Sequence, residues 1–564
     1  MIALAQRVLG LSRDELARAV PLFTYLFLVM AGSVASKAAR DALFLDRFRA
    51  IDLPYADIVI ALVVGLVVSL YIRAGERTNL RNLQIRSLLA FALSAVAFWW
   101  LSVGPTRDSR ALFVVIYVWV GIISVLVPTQ VWTLANYVMT TREAKRAFGF
   151  VGGGAILGWI VGGLATNLLV SRFGTEATLL WAATTFATSA GLVWFIWEHR
   201  PAYVADEAPG RIGHAARSVT ESRLLASLAE IRSSRYLTAI ALVIWLAAYV
   251  TTMTGWQFKA IAKANIPDTD ALAAFFGWFN MLAGMAALLL QLLLTGRVLR
   301  RVGVGVALFI VPTALGSTSV VLLIAGSLAA ATALKASDQV LRYSIDKATV
   351  ELLYLPVSPN LTFRAKSFID TVIYRAGDAG GGLTVLVFAA LLGVSAVEIS
   401  WIVLCSIAVW LWAASVARRE YVDNLRESIH QHRVDTERAN APVIERGASK
   451  LLAARLSGSP EEILYALSVF DMAAAPAVNP EVRRLLQHES ADVRQGALRL
   501  LSRSGDVSVL HDVERLLYDP QLEVRTEALL YLSEHAHVDP LERIERLGDF
   551  PDFSLRAAMA AFLA

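Results

Sequence analysis

This chain of 564 residues has a single cysteine, Cys405, which rules out an intrachain disulfide or a cysteine-based metal cluster. Charge is also scarce. Only 18% of residues are Asp, Glu, Lys or Arg, against 56% hydrophobic residues and a mean hydropathy of +0.56. Lysine is nearly missing, with eight Lys beside 44 Arg. Histidines such as His214, His430 and His432 lie in polar linkers without metal-ligand spacing. No nucleophile, paired-acid or zinc constellation supports an enzyme, and no cofactor is implied. The glycine-rich "GGGAILGWIVGG" (152–163) lacks a Gly-Lys-Ser/Thr ending, so it is not a phosphate loop. Gly154, Gly158 and Gly162 instead recur every four residues, the spacing of close helix packing in a membrane.

Long, nearly uncharged runs fill the space left by charge. Examples are "IVIALVVGLVVSLYI" (58–72) and "VEISWIVLCSIAVWLWAASV" (397–416). Such runs predict a multi-pass, all-α membrane protein whose first partner is the lipid bilayer. Twelve spans are expected, roughly at 20–45, 54–75, 84–104, 110–139, 147–170, 176–197, 236–260, 270–296, 301–325, 326–357, 365–395 and 398–417. Alternate loops carry twenty basic residues against seven in the intervening ones, with Lys259 and Lys263 counted among the seven. That bias predicts both termini in the cytoplasm of a bacterial inner membrane, and it explains the net charge of +5 without nucleic acid.

The expected organisation is an amphipathic N-terminal helix (1–19), a first six-span half (20–197), a linker with a surface helix (198–235), a second half (236–417), a polar linker helix (418–445) and a repeat domain (446–564). The N-terminal helix is expected to lie on the membrane and not to be a signal peptide. The halves echo each other: "REAKRAFGFVGGGAILG" (142–158) and "FRAKSFIDTVIYRAGDAGGG" (363–382) each carry Ala-Lys and then a glycine triplet. In the last domain "ADVRQGALRLL" (491–501) returns 31 residues later as "LEVRTEALLYL" (522–532), with weaker copies at 461–470 and 554–563. This reads as a C-terminal α-solenoid of HEAT-like repeats. It serves either a cytoplasmic protein partner or simple bracing.

Charges inside the spans are the candidate functional residues, because each is costly in lipid unless paired or used. Lys37, Arg40 and Asp41 share one face of span one. Lys335, Asp338, Arg342 and Asp346 stay within one face of span ten, whereas Lys347 and Glu351 lie off it. Span eleven adds Asp370, Arg375 and Asp378. Over these three spans the charges cancel, so full pairing would leave no surplus for an anion. Lys37, Arg40, Asp41, Asp338, Arg342 and Asp346 are the expected cavity-lining, substrate-binding set, with Gln130, Asn136 and Gln257 as polar contacts. Lys335, Lys347, Glu351, Asp370, Arg375 and Asp378 are expected to gate or to pair.

"PLFTYLFLVMAGSVASKAARDALFL" (21–45), "WTLANYVMTTREAKRAFGFVGGGAILG" (132–158), "WQFKAIAKANIPDTDALAAFFGWFN" (256–280) and "RYSIDKATVELLYLPVSPNLTFRAKSFIDTV" (342–372) resemble, in order, segments of the nucleotide transporter family, the ATP/ADP translocases of plastids and intracellular bacteria. The resemblance covers about residues 15–418. It implies a fold related to the major facilitator superfamily, with two six-helix halves. It also implies transport of an anionic, nucleotide-like or phosphorylated solute, in a bacterial branch fused to HEAT repeats. Arg40 and Arg342 fall at the family's basic positions in spans one and ten. Val120 stands where the family's span four carries a glutamate, and Thr252 or a neighbour stands at the acidic position of span seven, two departures from the pattern of the adenylate exchangers. Two other functions remain open. One is a membrane-anchored scaffold or sensor that has lost transport; the other is proton-coupled carriage of an uncharged solute through Asp41 or Asp346.

Overall fold

The computed structural model describes residues 13–200, 231–430 and 456–536, apart from residues 105, 140, 355, 358–360, 362–364, 367, 461, 465 and 468–479. The surface helix expected in 198–235, the first residues of the N-terminal helix and the repeat copy at 554–563 fall outside them. Two compact units emerge. One holds residues 1–295, 308–347 and 364–417; the other holds 296–307, 348–363 and 418–564.

Among the described residues each expected apolar run contains helix. The helices are α1 (Arg13–Arg47), α2 (Leu53–Arg77), α3 (Leu80–Val103), α4 (Arg110–Val138), α5 (Thr141–Phe173), α6 (Ala177–Glu198), α7 (Arg235–Asn265), α8 (Thr269–Leu290), α9 (Ile310–Ala325), α10 (Leu328–Leu341), α11 (Tyr374–Val385) and α12 (Ser400–His430). Among the described residues nine helices are long and apolar enough to cross a membrane. A tenth results if Arg301–Ala307 and Ile310–Ala325, bent by 66°, make one span. The expected span nine, 301–325, corresponds to that bent pair. Gly303, at φ 76°, breaks the helix there, and the residues before it extend the α8 span to Leu299. α1 runs unbroken from Arg13, so residues 13–19 form one helix with the first span and not a separate element.

α10 and α11 fall short of that test for a physical reason. Both carry charges, and both are interrupted by π-helical turns: Arg342–Asp346 continues α10 into Lys347–Leu353, while Ile369–Ile373 and Leu386–Leu391 flank α11. Such turns widen a helix by one residue and are frequent at functional sites.

Packing repeats between the halves with a shift of six helices. α1 lies along α5 as α7 lies along α11, and α2 meets α4 as α8 meets α10. Glycine makes the first of these pairings. A Cβ on Gly162 would sit 2.6 Å from the Ala31 carbonyl oxygen, and Gly154 and Gly158 press on the carbonyls of Phe23 and Phe27. Across the pseudo-symmetry, Gly377 and Gly381 press on α7, where a Cβ would fall 2.5 Å from the Trp245 oxygen and 2.6 Å from that of Tyr249. In lipid no hydrophobic force drives helices together, so close backbone approach and dispersion do that work. The glycine echo seen in the sequence is therefore real. The matching glycines are those spaced by four, not the two triplets. The halves meet where α5 crosses α8, and Gly163 and Gly277 bring backbone directly against backbone there.

The second unit contains α13 (Pro480–Arg484), α14 (Ala491–Ser504), α15 (Leu510–Leu516) and α16 (Leu522–His535). The 31-residue register governs its core. Val493, Ala497 and Leu498, and their counterparts Val524, Ala528 and Leu529, are buried in one cluster, which Ile463, Ala466 and Leu467 join. Arg494 bonds both Asp519 carboxylate oxygens, at 2.8 and 2.9 Å, and its side chain reaches the carbonyls of His488 and Glu489.

Candidate functional site

The helical spacing of Lys37, Arg40 and Asp41 sets the first group. Arg40 Nη2 is 2.7 Å from Asp41 Oδ1, and its guanidinium lies 4.2 Å over the ring of Tyr117 on α4. The Tyr117 hydroxyl donates to Asp57 of α2 at 3.0 Å. The other Asp41 oxygen binds Lys259 Nζ at 2.9 Å. Lys37 is exposed, has no side-chain partner among the described residues, and lies within electrostatic reach of Arg40, Asp41 and Lys259.

The second group centres on Asp338, which is 1% exposed. Lys335 Nζ reaches its Oδ2 at 2.8 Å, while Arg342 Nη2 at 2.8 Å and the Thr251 hydroxyl at 2.9 Å donate to its Oδ1. Arg342 also donates to the Ala247 carbonyl at 3.3 Å. Removing either partner from so buried an ion pair leaves an uncompensated charge and is strongly destabilising.

One helix face joins the two groups. Ala247, Thr251 and Lys259 of α7 make these contacts. A Cβ on Gly255 between them would lie 3.5 Å from Lys335 Nζ. At four-residue spacing and 1.5 Å per residue, Thr251 and Lys259 are about 12 Å apart along α7. Sequence reasoning counted Lys259 as a loop residue. It lies two turns inside a 31-residue helix, and Lys263 lies in the last turn. The expected charge balance changes with it. Two cations, Arg40 and Lys259, share Asp41 with Lys37 unpaired nearby, and two share Asp338; Asp57 and Asp346 stand within electrostatic reach without bonding any of them. Lys259, Tyr117, Asp57 and Thr251 were missed. The available signal was the span itself: the expected 236–260 already enclosed Lys259, which was nevertheless counted with the loop cations.

Other expected residues are placed elsewhere. The Gln130 amide donates to Ser87 at 2.8 Å, tying α4 to α3. The Gln257 amide donates to the Ala396 carbonyl at 2.7 Å and to Ser400 at 3.0 Å, tying α7 to α12. Both glutamines are buried, whereas Asn136 is exposed. On span eleven Asp378 accepts from the Thr252 hydroxyl at 3.0 Å and meets the exposed Arg375 at 3.4 Å. Asp346 is half-buried; Lys347, Glu351 and Asp370 are exposed. No group of three or more His, Cys, Asp or Glu suited to a metal occurs among the described residues.

Polar contacts between the halves gather toward the Arg47 end of α1. Beyond Asp41–Lys259, the Thr269 hydroxyl donates to Asp46 at 2.6 Å, the Trp256 indole to the Ala50 carbonyl at 2.8 Å, and the Thr175 hydroxyl to Asp270 at 2.6 Å.

Comparison with known proteins agrees with this architecture. The family model described as TLC ATP/ADP transporter matches residues 99–421. "ADP,ATP carrier protein 3" of Rickettsia typhi is 20% identical over 366 residues, 57% of this chain and 72% of that protein. "ADP,ATP carrier protein 1, chloroplastic" of Arabidopsis thaliana is 25% identical over 379 residues, 60% of this chain and 59% of that one. The chain spans 55% of the length of "ADP,ATP carrier protein 1" of Chlamydia muridarum, to which it is 24% identical. Among solved structures, a bacterial homologue of the iron transporter ferroportin, in an inward-facing state, superposes with a TM-score of 0.52 at 13% identity, covering 73% of this chain and all of that one. That likeness establishes a major facilitator-like fold, and the family match gives the rest: the chain belongs to the TLC ATP/ADP transporter family and is a multi-pass membrane transporter, not an enzyme.

Proposed function

We propose that the protein carries an anionic solute, nucleotide or otherwise phosphorylated, across a bacterial inner membrane by alternating access. The observation that carries this reading is the excess of cations around α7, where Arg40 and Lys259 share one carboxylate beside the unpaired Lys37, and Lys335 and Arg342 share another. A charged face of this kind cannot point at lipid, so it lines a wetted interior between the halves. Lys37, which has no side-chain partner among the described residues, is ready for an external anion. Arg40 and Arg342 present planar, multi-donor groups suited to phosphate. The printed names of the relatives make ADP and ATP the first ligands to try.

In this reading all twelve helical segments cross the membrane, the broken α10 and α11 included. Both termini face the cytoplasm, as the loop arginines favour. The 31-residue helix pairs form a HEAT-like solenoid that regulates transport or receives a protein partner; the shared register of their buried residues supports this. Removal of residues 440–564 is expected to leave membrane insertion intact and to change transport or partner capture.

Purified protein tests the main reading. ADP, ATP or pyrophosphate should raise the unfolding temperature, and Arg40→Ala or Arg342→Ala should abolish that rise. Proteoliposomes loaded with the stabilising anion should exchange it. If none of the three stabilises the protein, and the isolated C-terminal region captures a partner regardless of ligand, the scaffold function replaces this one.

A further inference from the structure

The two carboxylates that organise the charged face differ in what they connect. Asp338 binds Lys335 and Arg342, so both its ion pairs stay on one helix and its π-helical continuation. Asp41 binds Arg40 on its own helix and Lys259 on α7, so one of its pairs crosses from the first half to the second. Lys259 retains 23% side-chain exposure, and the exposed Lys37 stands within electrostatic reach. An anion arriving beside Lys37 meets two cations, Arg40 and Lys259, that already share a single carboxylate.

We propose that Lys259 is an anion-binding residue and that Asp41 is a built-in stand-in for the ligand. Binding at this site then exchanges the Lys259–Asp41 bond for a Lys259–ligand bond and unties the halves at the Arg47 end. The inference rests on the anion-transport reading and adds to it an asymmetry between the two clusters. An anion that takes Arg40 and Lys259 also places like charge beside Asp41, which weakens what remains of the pair. The neighbouring ties from Thr269, Trp256 and Thr175 come from neutral donors, for which an anion competes less well than for an ammonium; Lys263 also faces Asp46, but at 4.0 Å and with its ammonium bonded to the Pro267 carbonyl at 2.7 Å. An anion that takes Arg342 or Lys335 rearranges contacts inside the second half only. The Arg40 cluster therefore reports occupancy to the rest of the bundle, and the Arg342 cluster supplies grip.

Spin labels test this in the purified full chain. Asp108→Cys and Ala264→Cys, with Cys405→Ser, place labels at exposed positions on the two halves. The Arg47 side chain bonds the carbonyl of Arg107, which puts Asp108 at that end, and Ala264 lies in the last turn of α7. ADP is expected to lengthen the label separation in the otherwise unchanged protein. Asp41→Asn and Lys259→Gln should each give the long separation without ADP, and Lys259→Gln should weaken ADP binding by about tenfold or more. Arg342→Gln should weaken binding yet lengthen normally once ADP saturates. Should Asp41→Asn not fold, the exchanged pair Asp41→Lys with Lys259→Asp carries the same test, because it should restore the short separation. A short separation in Asp41→Asn and Lys259→Gln, or a long one in the exchanged pair, overturns the inference and leaves the anion reading standing. Undiminished ADP affinity in Lys259→Gln does the same. Absence of binding by ADP, ATP and pyrophosphate alike removes both.

Discussion

The Arg40 guanidinium is stacked 4.2 Å over the Tyr117 ring, and the hydroxyl of that ring is held by Asp57. α4 thus fixes the direction of a cation that α1 supplies, and α2 fixes α4. Three helices of one half agree on where a single positive charge points.

Arg40 is held by Asp41 and by the Tyr117 ring, and the ring should matter more to it than the hydroxyl. Tyr117→Phe should keep ADP affinity within about twofold, whereas Tyr117→Leu should lose about 0.5–2 kcal/mol, roughly two- to thirtyfold, by calorimetric titration. Equal losses in both variants would assign the role to the Asp57 hydrogen bond.

Lys37 contributes a charge and no ion pair. Lys37→Gln should leave the unfolding temperature unchanged or raise it, because removing an unpaired intramembrane charge relieves desolvation. It should also weaken ADP binding several-fold. A large drop in stability would show that Lys37 is structural.

Glycine contacts with α1 and α7 should be unforgiving. Gly162→Leu and Gly381→Leu force a side chain against a neighbouring backbone and should cost about 1–3 kcal/mol or prevent assembly. Gly382→Ala, with nothing within 4 Å of the added carbon, should be silent. Thermal unfolding of the three variants in one detergent checks the contrast.

In the C-terminal unit Arg494→Ala should destabilise by about 3–5 kcal/mol, since Asp519 is 5% exposed in its side chain and would lose both nitrogen contacts. Replacing both residues with Leu should be milder than the single change. Limited proteolysis of that region, alongside calorimetry, reads the difference.

Acid should loosen the same unit through Asp506. Burial pushes its carboxyl pKa up, but the Ser508 hydroxyl at 2.7 Å, the Ser508 amide at 3.1 Å and Arg483 at 2.8 Å outweigh it and hold the group below the usual carboxylate range. A depressed folded-state pKa gives stability that is present above the unfolded-state pKa and is lost as pH falls through the folded one. Unfolding temperature should therefore fall on acidification from pH 5 toward pH 3, and Asp506→Asn should flatten that slope. Parallel slopes in both proteins would refute the assignment.

Much of this was legible in the residues. Apolar runs located the helices, the four-residue glycine spacing located the α1–α5 seam, and the 31-residue register located the buried positions of the C-terminal unit. Charge spacing on spans one and ten picked out Arg40, Asp41, Asp338 and Arg342, because a period of 3.6 is local information. What escaped was non-local. Lys259 sits near a helix end, where hydropathy fades before the helix does, and only the meeting of α1 with α7 reveals its partner. Gln130 and Gln257 were drawn to the site by polarity alone. A buried amide is just as well used in clamping two helices, and sequence cannot tell the two uses apart.

Gly163 and Gly277 bring main chain against main chain at one point between the halves, flanked by Thr166 and by the Trp159–Asn280 hydrogen bond. Interlocked side chains would have to unmesh whenever the crossing angle changed, and at the point where the two glycines meet there is none to unmesh. In the alternating access proposed above this crossing is the natural pivot, and a methyl group at Gly163, which would fall 2.6 Å from main-chain atoms of α8, should force the two helices apart there.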